Sequence, residues 1–146
     1  MKTSSLVILL LFLSVSAFSQ EWLTDFEEAK KLSKQTNKPI VLVFQGSDWS
    51  APCIKLERSI WSSSDFKSYA DKHFIMLKAD FPRKKKNQLS LNQQNHNNEL
   101  AKSYNKAGYF PLVVVLDKEG SVLNTLGYSK LSPKEYIKSI ESYKND

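Results

Sequence analysis

Phe44-Gln45-Gly46-Ser47-Asp48-Trp49-Ser50-Ala51-Pro52-Cys53 joins the end of an apolar run to the start of a helix, and the fold turns on that junction. Residues 39–44, Pro-Ile-Val-Leu-Val-Phe, form a continuous β-branched apolar stretch with no polar alternation, the pattern of a strand buried on both faces of a parallel sheet. Gly46 and Ser47 end it. Ser50 then caps, and Pro52 sits in the first turn, where its missing N–H removes no helix bond. Ile54, Leu56 and Trp61 give the following helix an apolar side.

Outward from this segment, the remaining elements fall into place. Thr24 with Glu27 reads as a capping box, predicting a helix to about Gln35 with Phe26, Ala29 and Leu32 on one face and lysines on the other. Ser64, Asp65 and Phe66 start a short helical stretch, and residues 73–79 return to strand composition. Residues 80–87 form a basic loop. Residues 91–105 read as a polar helix with Leu100, Ala101 and Tyr104 as its apolar spacing, broken at Gly108. Residues 112–116 and 121–126 form two antiparallel strands around a turn at residues 117–120, and Ser132 caps a last helix carrying Ile137, Ile140 and Tyr143. The order α-β-α-β-α-β-β-α predicts an α/β fold with a mixed central sheet covered by helices on both faces.

A chain of 146 residues with 41% apolar and 12% aromatic content carries enough apolar surface for one folded domain. Residues 1–19 combine Lys2, an apolar run at 6–13 and small residues at Ala17 and Ser19, a secretory signal pattern with cleavage expected after Ser19. The domain is then residues 20–146. The apolar run is about half the roughly 20 residues of a membrane span, and no cysteine follows the cleavage point to carry a lipid, so no stable membrane anchor is expected. Losing Lys2 takes the formal charge from +6 to +5, in a periplasmic or secreted, oxidising location. Cys53 is the single cysteine, and His73 and His96 lie far from it in sequence, which excludes an internal disulfide and a cysteine-rich zinc site. No metal and no cofactor is expected. Arg83-Lys84-Lys85-Lys86 lacks aromatic stacking platforms and a groove-entering helix, so it reads as a solvated turn rather than a nucleic-acid site. Gln93, His96 and the asparagines around them read as a polar helix face.

Trp49-Ser50-Ala51-Pro52-Cys53, together with Tyr109-Phe110-Pro111 before a Val-rich strand, resembles the thioredoxin family, particularly its small secreted bacterial members. The resemblance spans the whole mature chain and implies a thioredoxin-like fold. It also implies protein or peptide thiols, disulfides or extended peptides as partners of a monomer. In that family a W-C-x-x-C motif opens the first long helix and faces a cis-proline. Here Ser50 stands in the place of the nucleophilic cysteine and only the second, Cys53, is present. Phe44 stands where some members carry a buried proton-accepting carboxylate. The resemblance implies that Pro111 is the matching cis-proline, while the residues alone also fit a proline that starts a strand.

The resemblance therefore implies thiol-disulfide oxidoreductase ancestry with impaired dithiol turnover, because release of a mixed disulfide needs a second sulfur. Ser50 is a poor nucleophile without an adjacent base and reads first as a helix cap. Asp48 reads as a turn residue. Cys53 is the candidate catalytic group: first-turn amides favour its thiolate and burial favours its neutral form, so an inert packed thiol stands beside a reactive one. Trp49, Phe110 and Pro111 are the candidate substrate-binding residues. Three activities remain open: a redox-inactive peptide- or partner-binding module, a monothiol or peroxidase-like activity through Cys53, and a disabled enzyme that Ser50→Cys would repair. Peroxiredoxins carry a related [TS]-x-x-C motif, but Gly46 stands where they have proline.

Overall fold

The computed structural model describes residues 21–146; the expected signal segment, residues 1–19, lies outside the described residues. Within them the chain runs α1 (Phe26–Thr36), β1 (Ile40–Gln45), α2 (Ala51–Leu56), α3 (Ser64–His73), β2 (Ile75–Asp80), α4 (Leu91–Tyr104), β3 (Leu112–Leu116), β4 (Val122–Leu126) and α5 (Pro133–Ile140). The sheet order is β2-β1-β3-β4. β1 is parallel to β2, in register from Ile40 opposite Ile75 to Gln45 opposite Asp80, and antiparallel to β3, with Phe44 opposite Leu112. The mixed sheet expected from the element order is what forms. Leu23 adds one parallel bridge to β2, donating to the Met76 carbonyl at 2.9 Å and accepting from Lys78 at 3.0 Å.

The unbroken apolar run of β1 has a direct cause. Val41 and Val43 point into one core with Leu56, Ile60, Trp61, Phe66, Tyr136 and Ile140, while Ile40, Leu42 and Phe44 point into a second with Leu77, Leu100 and Leu116. A central strand with a core on each side has no solvent face, so no position can be polar.

Three local expectations change. The N-cap of α1 is Asp25, whose carboxylate accepts from Glu28, rather than Thr24. The short stretch at Ser64 is a full helix of 10 residues, α3, capped by Ser63, and it adds an element to the expected order. Between α2 and α3 the chain widens into a π-turn over Glu57–Trp61. That extra residue brings both Ile60 and Trp61 into the core below α2, where regular helical spacing from Leu56 would turn Trp61 aside.

Candidate functional site

The site sits where β1 ends. Ser50 has extended backbone (φ −89°, ψ 110°) and caps α2, its hydroxyl accepting from the Cys53 N–H at 3.4 Å. The same hydroxyl donates to the Phe110 carbonyl at 3.4 Å. Both bonds are long, and together they occupy the oxygen with the backbone on either side of the site. Ser50 is 5% exposed and Cys53 4%. The Cys53 sulfur accepts from the Gly46 N–H at 3.4 Å.

Among the described residues, the Ser50 hydroxyl bonds to backbone groups and to no histidine or carboxylate. His73 stacks on Tyr69 with ring centroids 4.0 Å apart, and His96 Nε2 accepts from the Phe26 N–H at 3.0 Å. Asp48 accepts from the Arg83 N–H, the Asn87 side chain and the Lys84 N–H, each at 3.0 Å. These donors hold its carboxyl at about 2, below the ordinary 3.8, with the Arg83 amide contributing most and Asn87 next. Asp48 is therefore the latch of the basic loop, a longer-range role than the turn residue expected.

This sets a pH dependence. A depressed carboxyl keeps its latch intact above the ordinary value and loses it only as pH falls through about 2. The amide shifts of Arg83 and Lys84 should titrate with a midpoint near 2 by NMR and stay flat in Asp48→Asn; a midpoint near the ordinary 3.8 would mean that the latch is not formed in solution.

Trp49 is the centre of the exposed part. Its Nε1 donates to the Phe81 carbonyl at 2.7 Å, its ring meets Phe110 edge-on at 5.5 Å, and the Arg83 guanidinium lies 3.7 Å from the ring centroid. Gly46 makes this packing possible, because a Cβ there would lie 2.2 Å from the indole. The Phe110–Pro111 peptide is cis, and Pro111 is buried. Beside it lies an apolar groove of about 420 Å³ bordered by Pro52, Tyr109, Phe110, Leu126 and Tyr128; Tyr109 is 63% exposed and Tyr128 40%. Trp49, Ser50, Cys53, Phe110 and Pro111 thus come together from the start of α2 and the segment before β3, which are far apart in sequence.

A profile of thioredoxin-like proteins matches residues 21–118. The chain belongs to the thioredoxin-like family. It is 38% identical over 128 residues to the disulfide bond reductase DsbH of Chlamydia pneumoniae, an alignment spanning 88% of this chain and 75% of that protein. It is 28% identical over 107 residues to the thioredoxin-related protein DsbJ of the same organism, covering 73% of this chain but 30% of DsbJ. Among solved structures, a DsbH oxidoreductase superposes with a TM-score of 0.79 at 37% identity, over 89% of this chain and 88% of that one. A thioredoxin from Thermus thermophilus gives 0.61 at 17% identity, covering 85% and 86%, and shares the fold. The thioredoxin-like fold expected from the motif is the fold of this protein.

Sequence reading missed Arg83 over Trp49, the Phe81 carbonyl that fixes the indole, and Leu126 and Tyr128 in the groove. Their partners lie at sequence separations such as the 32 residues between Trp49 and Phe81, where no periodicity links them. It also missed that Asn97 is 2% exposed. Its amide donates to the Asp80 carbonyl, and its oxygen faces Gln93 Nε2 at 2.9 Å and His96 Nδ1 at 3.0 Å. The face read as merely polar ties α4 to the end of β2. Among the described residues no three His, Cys, Asp or Glu side chains gather into a metal-holding group, and no helix is long and apolar enough to cross a membrane.

Proposed function

We propose that this chain is a secreted or periplasmic thioredoxin-like protein that binds extended polypeptide segments without completing dithiol turnover. The observation that carries this reading is the contrast between the two halves of the site. Its single sulfur is packed away, Cys53 being 4% exposed beneath a hydroxyl tied to backbone, while the groove along Phe110, Tyr109 and Tyr128 stays open and apolar. A monothiol enzyme needs an accessible thiolate, and an incoming disulfide has no line to a sulfur held under Ser50. Recognition of apolar side chains on an extended segment needs pockets rather than a sulfur, and Phe110 with its neighbours supplies them. Ser50 acts as the cap of α2, and Cys53 fills the core beneath it.

Titration of an unstructured apolar peptide, followed by backbone NMR shifts, tests this. Cys53→Ala should change its affinity by less than about threefold, whereas Phe110→Ala should weaken it by about tenfold or more, as loss of a buried aromatic anchor does. Cys53 should also resist alkylation until the protein unfolds. Rapid alkylation of the folded protein, with peptide affinity lost in Cys53→Ala, would transfer the function to the sulfur.

A further inference from the structure

The charge run at residues 83–86 is not a free turn. Asp48 grips it through two backbone amides and the Asn87 side chain, a 3-10 turn at Lys85–Asn87 closes it, and Arg83 lies on Trp49 itself. Lys84, Lys85 and Lys86 are exposed. The ion pairs among the described residues use Lys30, Lys34, Lys102 and Lys144; none uses a side chain of this loop. Asp48 directs its oxygens at the Arg83 and Lys84 N–H groups and the Asn87 side-chain amide. Four cationic side chains, against the one carboxylate of Asp48, therefore stand on a loop that reaches the groove through Arg83 on Trp49 and Trp49 on Phe110.

We propose that the segment this groove takes is acidic, with carboxylates of an extended polypeptide meeting residues 83–86 while an apolar side chain of the same segment lies on Phe110. This rests on the peptide-binding reading of the groove. The geometry sets the spacing: Phe110 to Trp49 is 5.5 Å and Trp49 to Arg83 is 3.7 Å, so the acidic position falls within about three residues of the anchor at ~3.3 Å per extended residue. Asp48 already fixes the loop's backbone, so binding has only its side chains left to order. Nucleic acid fits less well. At the loop itself the Trp49 indole is packed on Gly46 and covered by Arg83, so a base has no open face to stack on beside the lysines.

The probes are two labelled peptides with the same central Val-Phe-Val anchor, one flanked on both sides by serines and the other by glutamates. At low ionic strength the glutamate peptide should bind about tenfold more tightly, the sum of a few exposed charge pairs, and the preference should shrink to about twofold in 1 M salt, where screening acts within about 3 Å. Lys84→Gln, Lys85→Gln and Lys86→Gln together should cut the preference to about twofold, the share left to Arg83, and leave affinity for the serine peptide unchanged. If the serine peptide binds and the glutamate peptide gains nothing, the acidic partner is overturned and the groove stands. If neither binds, the groove reading itself fails. Equal, salt-sensitive binding of a single-stranded oligothymidylate through the same lysines would make the loop a general polyanion site and would also overturn the proposal. The salt dependence of the unaltered protein decides the matter even if the triple variant folds poorly.

Discussion

Ser50→Cys should turn on disulfide reduction, raising dithiol-driven turnover of a small disulfide substrate by at least about 100-fold over the unaltered protein. The N-cap and the third residue of α2 lie on one helix face, Cys53 N already meets the Ser50 side chain, and this spacing is close to what a disulfide spans. A sulfur at the cap faces the first-turn amides, which favour thiolate. That thiolate attacks one sulfur of the substrate, whose other sulfur leaves as a thiol. Cys53, deprotonated, then attacks the mixed disulfide, releasing the second substrate thiol and closing a bond between the two protein sulfurs, which external dithiol reduces to restart the cycle. Phe44, fully buried, offers no carboxylate to take the Cys53 proton, so the second step should limit the rate. Mass spectrometry gives an independent readout, the loss of two hydrogens on oxidation of the variant. A folded variant that forms the internal bond yet reduces nothing would mean that the groove no longer admits disulfide substrates; one that cannot form the bond would mean that the site has diverged in geometry as well as chemistry.

How far the sequence reveals this site depends on the range of the contacts. The strand at residues 39–44 was legible because burial on two faces leaves a mark in consecutive residues. Ser50 was legible because a cap and a first-turn proline are local chemistry. The α1 cap was not: Thr24 and Asp25 each have a glutamate three residues on, so the local pattern fits twice. The choice of Asp25 is made by distant partners, with Leu23 paired to β2, the Thr24 carbonyl accepting from Gln93, and the Phe26 N–H given to His96. Asn97 is intermediate. It lies three and four residues before Leu100 and Ala101, on the face that already read as apolar, so its burial was written in the spacing and hidden by its side-chain type. Asp48 with the basic loop was beyond reach, since its bonds span 35 residues and more.

Trp61→Ala should be the most damaging single core substitution, destabilising the protein by about 3–5 kcal/mol, a large share of the 5–15 kcal/mol typical of a domain. Trp61 is 2% exposed and is the hub of an aromatic cluster. Phe66 approaches at 4.8 Å, Tyr136 at 5.5 Å and Trp22 at 5.6 Å between ring centroids, all edge to face. Those rings belong to α3, α5 and the segment before α1, so one side chain joins three parts of the chain below the sheet. Removing it loses the transfer free energy of the indole and leaves a cavity that neighbours fixed on separate elements cannot close. Urea unfolding followed by far-ultraviolet circular dichroism measures the change without relying on tryptophan emission. Trp61→Phe should recover roughly half of the loss, because it keeps a ring for the edge-to-face contacts but not the volume. A loss below about 1 kcal/mol for the alanine variant would show that the surrounding elements shift to close the space, and would overturn the reading of Trp61 as the hub of this core.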